Sequence, residues 1–82
     1  MEILDFYADW CGPCQMMKPT MEEFEKAHPE IKVTVINIDE QEELAEKYEV
    51  STIPCIVVLE DGEEVKRAVG VQSLKKLEKL VV

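Results

Sequence analysis

The sequence predicts an α/β fold: a mixed four-stranded sheet in the order βαβαββα, with helices on both faces to cover it. Three observations predict it. "EILDFYA" and "KVTVINI" read as buried strands on either side of a helical stretch, which makes a βαβ unit. "CIVVLE" and "EVKRAVG" flank Asp61-Gly62, a hairpin signal. The chain has 82 residues, enough for one modest core, so residues 1–82 are read as a single domain.

The elements follow in order. Glu2–Ala8 is apolar enough to be buried on both faces, as central strands are. Alternation groups Asp5 with Ile3 and Tyr7, which predicts a buried carboxylate. From Cys11 onward apolar residues recur at Cys14, Met17, Met21, Phe24 and Ala27, one face of a helix. Met16, Met17 and Met21 read as core packing. Pro19 falls inside this helix, removes an internal hydrogen bond and is expected to kink it, and His28-Pro29 ends it. Lys32–Ile38 is a β-branched strand. Asp39 is a candidate cap for a short helix through Lys47, whose apolar side is Leu44, Ala45 and Tyr48. "SLKKLEKLVV" closes the chain as an amphipathic helix capped by Ser73, with Leu74, Leu77 and Val81 on one face. The first two strands should run parallel with a right-handed crossover, and the hairpin adds antiparallel strands.

Composition narrows the function. Net charge is −9, with ten acidic and three basic residues between Glu22 and Glu49. Such a surface repels phosphate backbones, so no nucleic-acid partner is expected, and the acid run reads as a solvated helix face. No apolar run reaches membrane-spanning length, and no basic segment precedes the first apolar one. Neither a membrane partner nor a secretory signal is expected, and the expected location is cytoplasmic.

The chain has three cysteines, two of them in a C-x-x-C motif within "DFYADWCGPCQMMKP". A secreted disulfide scaffold would carry more, evenly paired. Zinc needs four ligands, which Cys55 and His28 complete only on paper. His28 ends the helix that Cys11 begins, roughly 25 Å away at the α-helical rise. Redox chemistry is the better reading. A Cys11 sulfur at a helix N-terminus meets unpaired backbone N–H groups and the positive end of the dipole, which favour the reactive thiolate. Cys14 lies one turn on, within disulfide reach, and is expected to be the more buried of the two. Pro13 has no N–H, so one donor near the Cys11 sulfur is missing. The thiolate is then only moderately stabilised, which favours a reductant over a strong oxidant.

"WCGPC" after "DFYAD", Pro19 five residues beyond Cys14, and "STIPC" ahead of the hairpin resemble the thioredoxin family. The resemblance spans nearly the whole chain, through "DG" and the "VGV" of Val69–Val71. It implies a minimal thioredoxin fold and a general disulfide reductase with no bound cofactor. By resemblance Cys11 is the nucleophile and Cys14 the resolving thiol, with Gly12 and Pro13 between them and Trp10 flanking the exposed sulfur. Asp5 matches a buried aspartate that relays protons for the resolving cysteine. The Ile53–Pro54 bond would be cis, with the Ile53 backbone pairing to substrate as a short added strand. Gly70 matches a glycine that leaves room for substrate. The implied partners are disulfide-containing proteins and a flavoprotein thioredoxin reductase. The alternatives are a glutaredoxin-like, glutathione-dependent reductase and a non-catalytic module that binds a partner through Ile53–Pro54.

Three departures from the family pattern carry expectations of their own. The usual thioredoxin has a further N-terminal strand and helix; without them Lys32–Ile38 becomes a sheet edge, protected mainly by Lys32 and Thr34. A monomer is expected, with weak edge-to-edge dimers at high concentration. The family often places a lysine near the buried aspartate, and its position here is Val35. Cys55 stands where threonine is common and reads as a small buried residue.

Overall fold

A computed structural model describes residues 1–82. Its elements are β1 (Glu2–Tyr7), α1 (Gly12–Ala27), β2 (Lys32–Asn37), α2 (Glu42–Lys47), β3 (Cys55–Glu60), β4 (Glu63–Val69) and α3 (Leu74–Leu80). The order is the predicted one. Because α1 returns the chain to the start of the sheet, β1 and β2 pair in parallel. β3 runs antiparallel to both β1 and β4, giving the sheet order β2-β1-β3-β4. The β3–β4 turn holds Asp61 and Gly62 at φ 53° and 82°. Two successive positive φ values are what a tight hairpin turn matched to strand twist requires, and this is why Asp-Gly occurs there.

Strand alternation divides the core into two layers. On one face Ile3, Ile56 and Val58 meet Met17, Met21 and Phe24 of α1 and Leu77 of α3. On the other, Leu4, Phe6, Ile36, Val57 and Leu59 pack with Cys55 beneath Leu44 and Tyr48. Phe24 is fully buried, and Phe24→Ala would cost about 3–5 kcal/mol, enough to threaten so small a fold. β1 and β3 lie inside the sheet, whereas β2 forms one edge, as expected.

The structure corrects some local expectations. Met16 is 73% exposed, so it is not core; Met17 and Met21 hold the buried face and Met16 turns outward beside them. Ala27, at the frayed end of the same stripe, is exposed too. Asp39 does not cap α2. Gln41 occupies that position without a side-chain hydrogen bond, and the Asp39 carboxylate is engaged by Trp10 instead. Pro19 lies inside α1, where the sequence placed it. Ser73 caps α3 as predicted, its Oγ accepting the Lys76 N–H at 3.2 Å.

Candidate active site

Cys11 is the N-cap of α1, with an extended backbone at φ −88° and ψ 105°. Pro13 follows in the first turn, where its lack of an N–H removes nothing the helix would have used. The donor left for the Cys11 sulfur is therefore three residues ahead: the Cys14 N–H donates to Cys11 Sγ at 3.2 Å. Cys11 and Cys14 are joined as a disulfide, with their Cα atoms 5.3 Å apart.

The expected difference in burial between the two cysteines is reversed. Cys11 is 4% exposed and Cys14 8%. Ala8, Cys11 and Cys14 form a small cluster over which Tyr7, Ile38 and Ile53 close. Cys14 also lines a cleft that opens beside α1, and this accounts for its slightly greater exposure.

The loops bring the other predicted residues into place. Trp10 is 69% exposed, and its indole N–H donates to the Asp39 carboxylate at 2.8 Å. The Ile53–Pro54 bond is cis. Ile53 packs against the cysteine cluster, and its backbone takes part in none of the loop hydrogen bonds. Gly70 donates its N–H to the Pro54 carbonyl at 2.8 Å, which sets it beside the cis bond. Its φ of 92° suits glycine, and a Cβ built there would meet nothing within 4 Å. Gly12 likewise faces open space.

Asp5 lies on β1 and is 8% exposed. Its Oδ1 is buried without a hydrogen-bond partner. Burial, and secondarily the charge of Glu25, pushes its pKa up to about 6. In the parallel register its partner across β2 is Val35, which offers no charge. Asp5 and Cys14 line the same cleft of about 300 Å³, together with Lys18, Glu22, Glu25 and Val35. That shared cleft is the electrostatic feature of the site. Cys55 is not part of it: the thiol lies in the layer beneath α2, 1% exposed, and burial pushes its pKa up.

The sequence reading did not place Lys18, Glu22 and Glu25 at the site, taking the helix acids as a solvated face. Their signal was available in the helical spacing, since Lys18 and Glu22 follow Cys14 by one and two turns. The pairing of Trp10 with Asp39 spans 29 positions and had no local signal.

The family model described as Thioredoxin matches residues 1–82. The chain belongs to the thioredoxin family. It is 43% identical to the thioredoxin of Chlamydia pneumoniae over 79 residues, covering 96% of this chain and 78% of that one. It is 42% identical over 80 residues to the thioredoxin of Bacillus subtilis (strain 168), with 96% and 77% covered. The X-ray structure of Fasciola hepatica thioredoxin superposes with a TM-score of 0.92 at 38% identity, over 98% of this chain and 76% of that one. With its cysteine pair at disulfide distance on the thioredoxin fold, the protein is a thiol–disulfide oxidoreductase, a disulfide reductase.

Proposed function

We propose that residues 1–82 act as one domain, a general protein disulfide reductase in which Cys11 attacks, Cys14 resolves and Asp5 takes the resolving proton. One observation supports these roles above the others: Cys11 Sγ caps the helix on the Cys14 N–H, while Cys14 shares its cleft with an unpartnered carboxylate. In the reduced protein the Cys11 thiolate attacks one sulfur of a substrate disulfide. That disulfide breaks, the second substrate sulfur leaves as a thiolate, and a mixed disulfide forms on Cys11. Cys14 Sγ–H then passes its proton to the Asp5 carboxylate, and the new thiolate attacks Cys11 Sγ. The bond to substrate breaks, the substrate sulfur leaves as a thiolate and takes up a proton, and the Cys11–Cys14 disulfide remains. Two electrons have moved from the protein to the substrate.

Substrate would be held by the Ile53 backbone as a short added strand beside cis-Pro54, with Trp10 flanking the sulfur and Gly70 leaving space. The Gly12-Pro13 pair keeps the first turn of the helix short of one donor, which suits a reductant. A flavoprotein thioredoxin reductase would restore the dithiol in a reducing, cytoplasmic setting, and no bound cofactor enters the cycle. No helix is long and apolar enough to cross a membrane. We read the protein as a monomer with weak association through the outer edge of β2, where Val35 is 52% exposed. Sedimentation that finds a tight, salt-insensitive dimer at micromolar concentration would contradict this.

The function is tested by insulin reduction with each candidate electron source supplied in turn: NADPH with a flavoprotein reductase, reduced ferredoxin with its reductase, or glutathione. Turnover with a flavoprotein reductase is expected. Turnover with glutathione alone would favour the glutaredoxin-like alternative, and no reduction at all would favour a partner-binding module.

A further inference from the structure

On the face of the sheet under α1, Val35 of the edge strand β2 is left 52% exposed, and between it and the helix lies the cleft of about 300 Å³. That volume is at the small end of the range for small-molecule sites. Tyr7, Met21 and Val35 give it apolar walls, and Asp5 forms its floor. Asp5 is 8% exposed, its Oδ1 is buried without a hydrogen-bond partner, and no cation pairs with the carboxylate. An acceptor buried in this state is costly, and a donor delivered through the cleft would relieve it. None of Trp10, Ile53, Pro54 and Gly70 lines the cleft, so it is separate from the surface proposed to hold substrate.

The groups around Asp5 decide which ligand fits. From β1 the other titratable side chain at the cleft is Tyr7, and β2 presents the uncharged Val35. Cys55 of β3 lies on the opposite face of the sheet, and α3 contributes no lining residue. α1 supplies Cys14, Lys18, Glu22 and Glu25, a single stripe along the helix. Cys14 is held in the disulfide, and Lys18 is exposed and forms no ion pair with Asp5. Three carboxylates thus face one ammonium, an arrangement that repels anions and attracts cations. A hydrated metal ion would gain nothing from the apolar walls, and these side chains form no cluster able to hold one.

We infer that the cleft is a binding site for small organic ammonium ions that carry one apolar group. The ammonium donates to the Asp5 carboxylate, the apolar body lies against Tyr7, Met21 and Val35, and Glu22 and Glu25 favour its entry from the rim. A ligand seated there occupies the carboxylate proposed above to take the Cys14 proton. It therefore slows the resolving step and leaves the first attack alone. That consequence rests on the proposed role of Asp5, whereas the binding does not.

The test titrates the oxidised protein with phenethylammonium, followed by calorimetry and by the amide signals of isotope-labelled chain. Saturable binding with a Kd on the order of 1 mM is expected at pH 7, an affinity within reach of so few atoms. Signals of Tyr7, Met21 and Val35 should move, while those of Asp39–Leu44, a second acidic region, should not. Ionised Asp5 is the binding form, so affinity should fall about tenfold on going from pH 7 to pH 5. Phenethyl alcohol and phenylacetate, which lack the positive charge, should bind at least about tenfold more weakly. Asp5→Asn should weaken phenethylammonium binding by about tenfold or more and remove its pH dependence. Val35→Trp, at a half-exposed wall position, should fill the cleft and block the probe. Equal affinity in Asp5→Asn, or signal changes spread evenly over the acidic surface, would reduce the binding to general attraction by net charge −9 and overturn the site. Equal binding of the alcohol would overturn the class of ligand. In single-turnover reduction, saturating probe should slow resolution toward the Asp5→Asn rate and leave first attack within about twofold. If Asp5→Asn slows resolution but the bound probe does not, the inhibitory consequence is overturned. If Asp5→Asn resolves at the wild-type rate, the role of Asp5 falls with that consequence, and the binding site stands.

Discussion

Two titratable side chains beside α1, Asp5 on β1 and His28 at the C-cap of the helix, each have their protonated form favoured, and for opposite reasons. In the cleft, Asp5 is protonated more readily because burial starves its charged form of solvent and partners. At the C-terminal end His28 is protonated more readily because its charged form is well served. The ring hydrogen-bonds Glu78 at 2.9 Å, approaches Glu30 at 3.5 Å and stacks on Phe24. One upward shift records a conflict left in the fold, and the other a contact that helps hold it. An unresolved conflict beside a nucleophile suggests chemistry, whereas a satisfied histidine that ties α3 to α1 suggests architecture.

The strongest way to break this contrast is to remove the reactive groups and the His28 contacts separately. Cys11→Ser should abolish reduction and mixed-disulfide formation together. Cys14→Ser should still attack but fail to resolve, so that the protein accumulates covalently bound to its substrates. Glu78→Gln should leave turnover within about twofold of wild type, because Glu78 lies on α3 against His28, at the end of α1 away from the cysteines, and is a surface change. Trapping by both cysteine variants in equal amount would reverse or erase the assigned roles. Loss of turnover in Glu78→Gln would mean that the two sites are coupled.

The next largest effect concerns stability. A carboxylate whose folded pKa is about 6 instead of 3.8 penalises the native state fully above pH 6, and the penalty fades as pH falls toward 4. At pH 7 the difference amounts to about 2–3 kcal/mol. Asp5→Asn should therefore raise the unfolding midpoint at pH 7 by roughly 10–20 °C for a domain of this size. The gain should shrink on acidification, and the resolving step should slow in the same sample. Thermal unfolding of both proteins at several pH values checks this. Unchanged stability together with unchanged resolution would mean that Asp5 is solvated and idle.

The same contrast explains what could be read in the chain. Asp5 and the cysteine pair were legible because strand alternation and C-x-x-C spacing are local signals, whereas the cis bond at Ile53–Pro54 was legible only through the family resemblance, since most X–Pro bonds are trans. The two-layer core was legible for a similar reason, since β1 and β3 are apolar on both faces. What escaped was decided across space. Asp39 looked like a helix cap because of its place before α2, but the Trp10 indole 29 positions away engages its carboxylate. Met16 looked like core because it sits among methionines that are core, yet one helical step of rotation exposes it. Glu25 was lost in a charged stretch whose inner side is apparent only once β2 is seen to leave Val35 opposite Asp5.

The smallest effect sharpens the comparison at its C-terminal end. His28 has a raised pKa, with the hydrogen bond to Glu78 as the largest cause, burial opposing it next, and lesser contributions from Glu30. A group raised in this way adds stability that is fully present below its unfolded value near 6.5 and is lost as pH rises through its folded value. Asp5 titrates lower, and placing the test in an Asp5→Asn background removes its contribution. In that background the unfolding midpoint should decline as pH rises above 6.5, and Glu78→Gln should flatten most of the decline. Glu30→Gln should flatten less of it. Replacing the glutamates rather than the histidine keeps the ring on Phe24, whose centroid lies 4.8 Å away, so that packing is not lost with the charge. Because His28 sits at the surface, added salt should weaken the effect without abolishing the hydrogen bond. A midpoint that does not change above pH 6.5 in the parent would show that the His28–Glu78 contact contributes nothing beyond packing, and the two sites would then differ in only one respect: the conflict at Asp5.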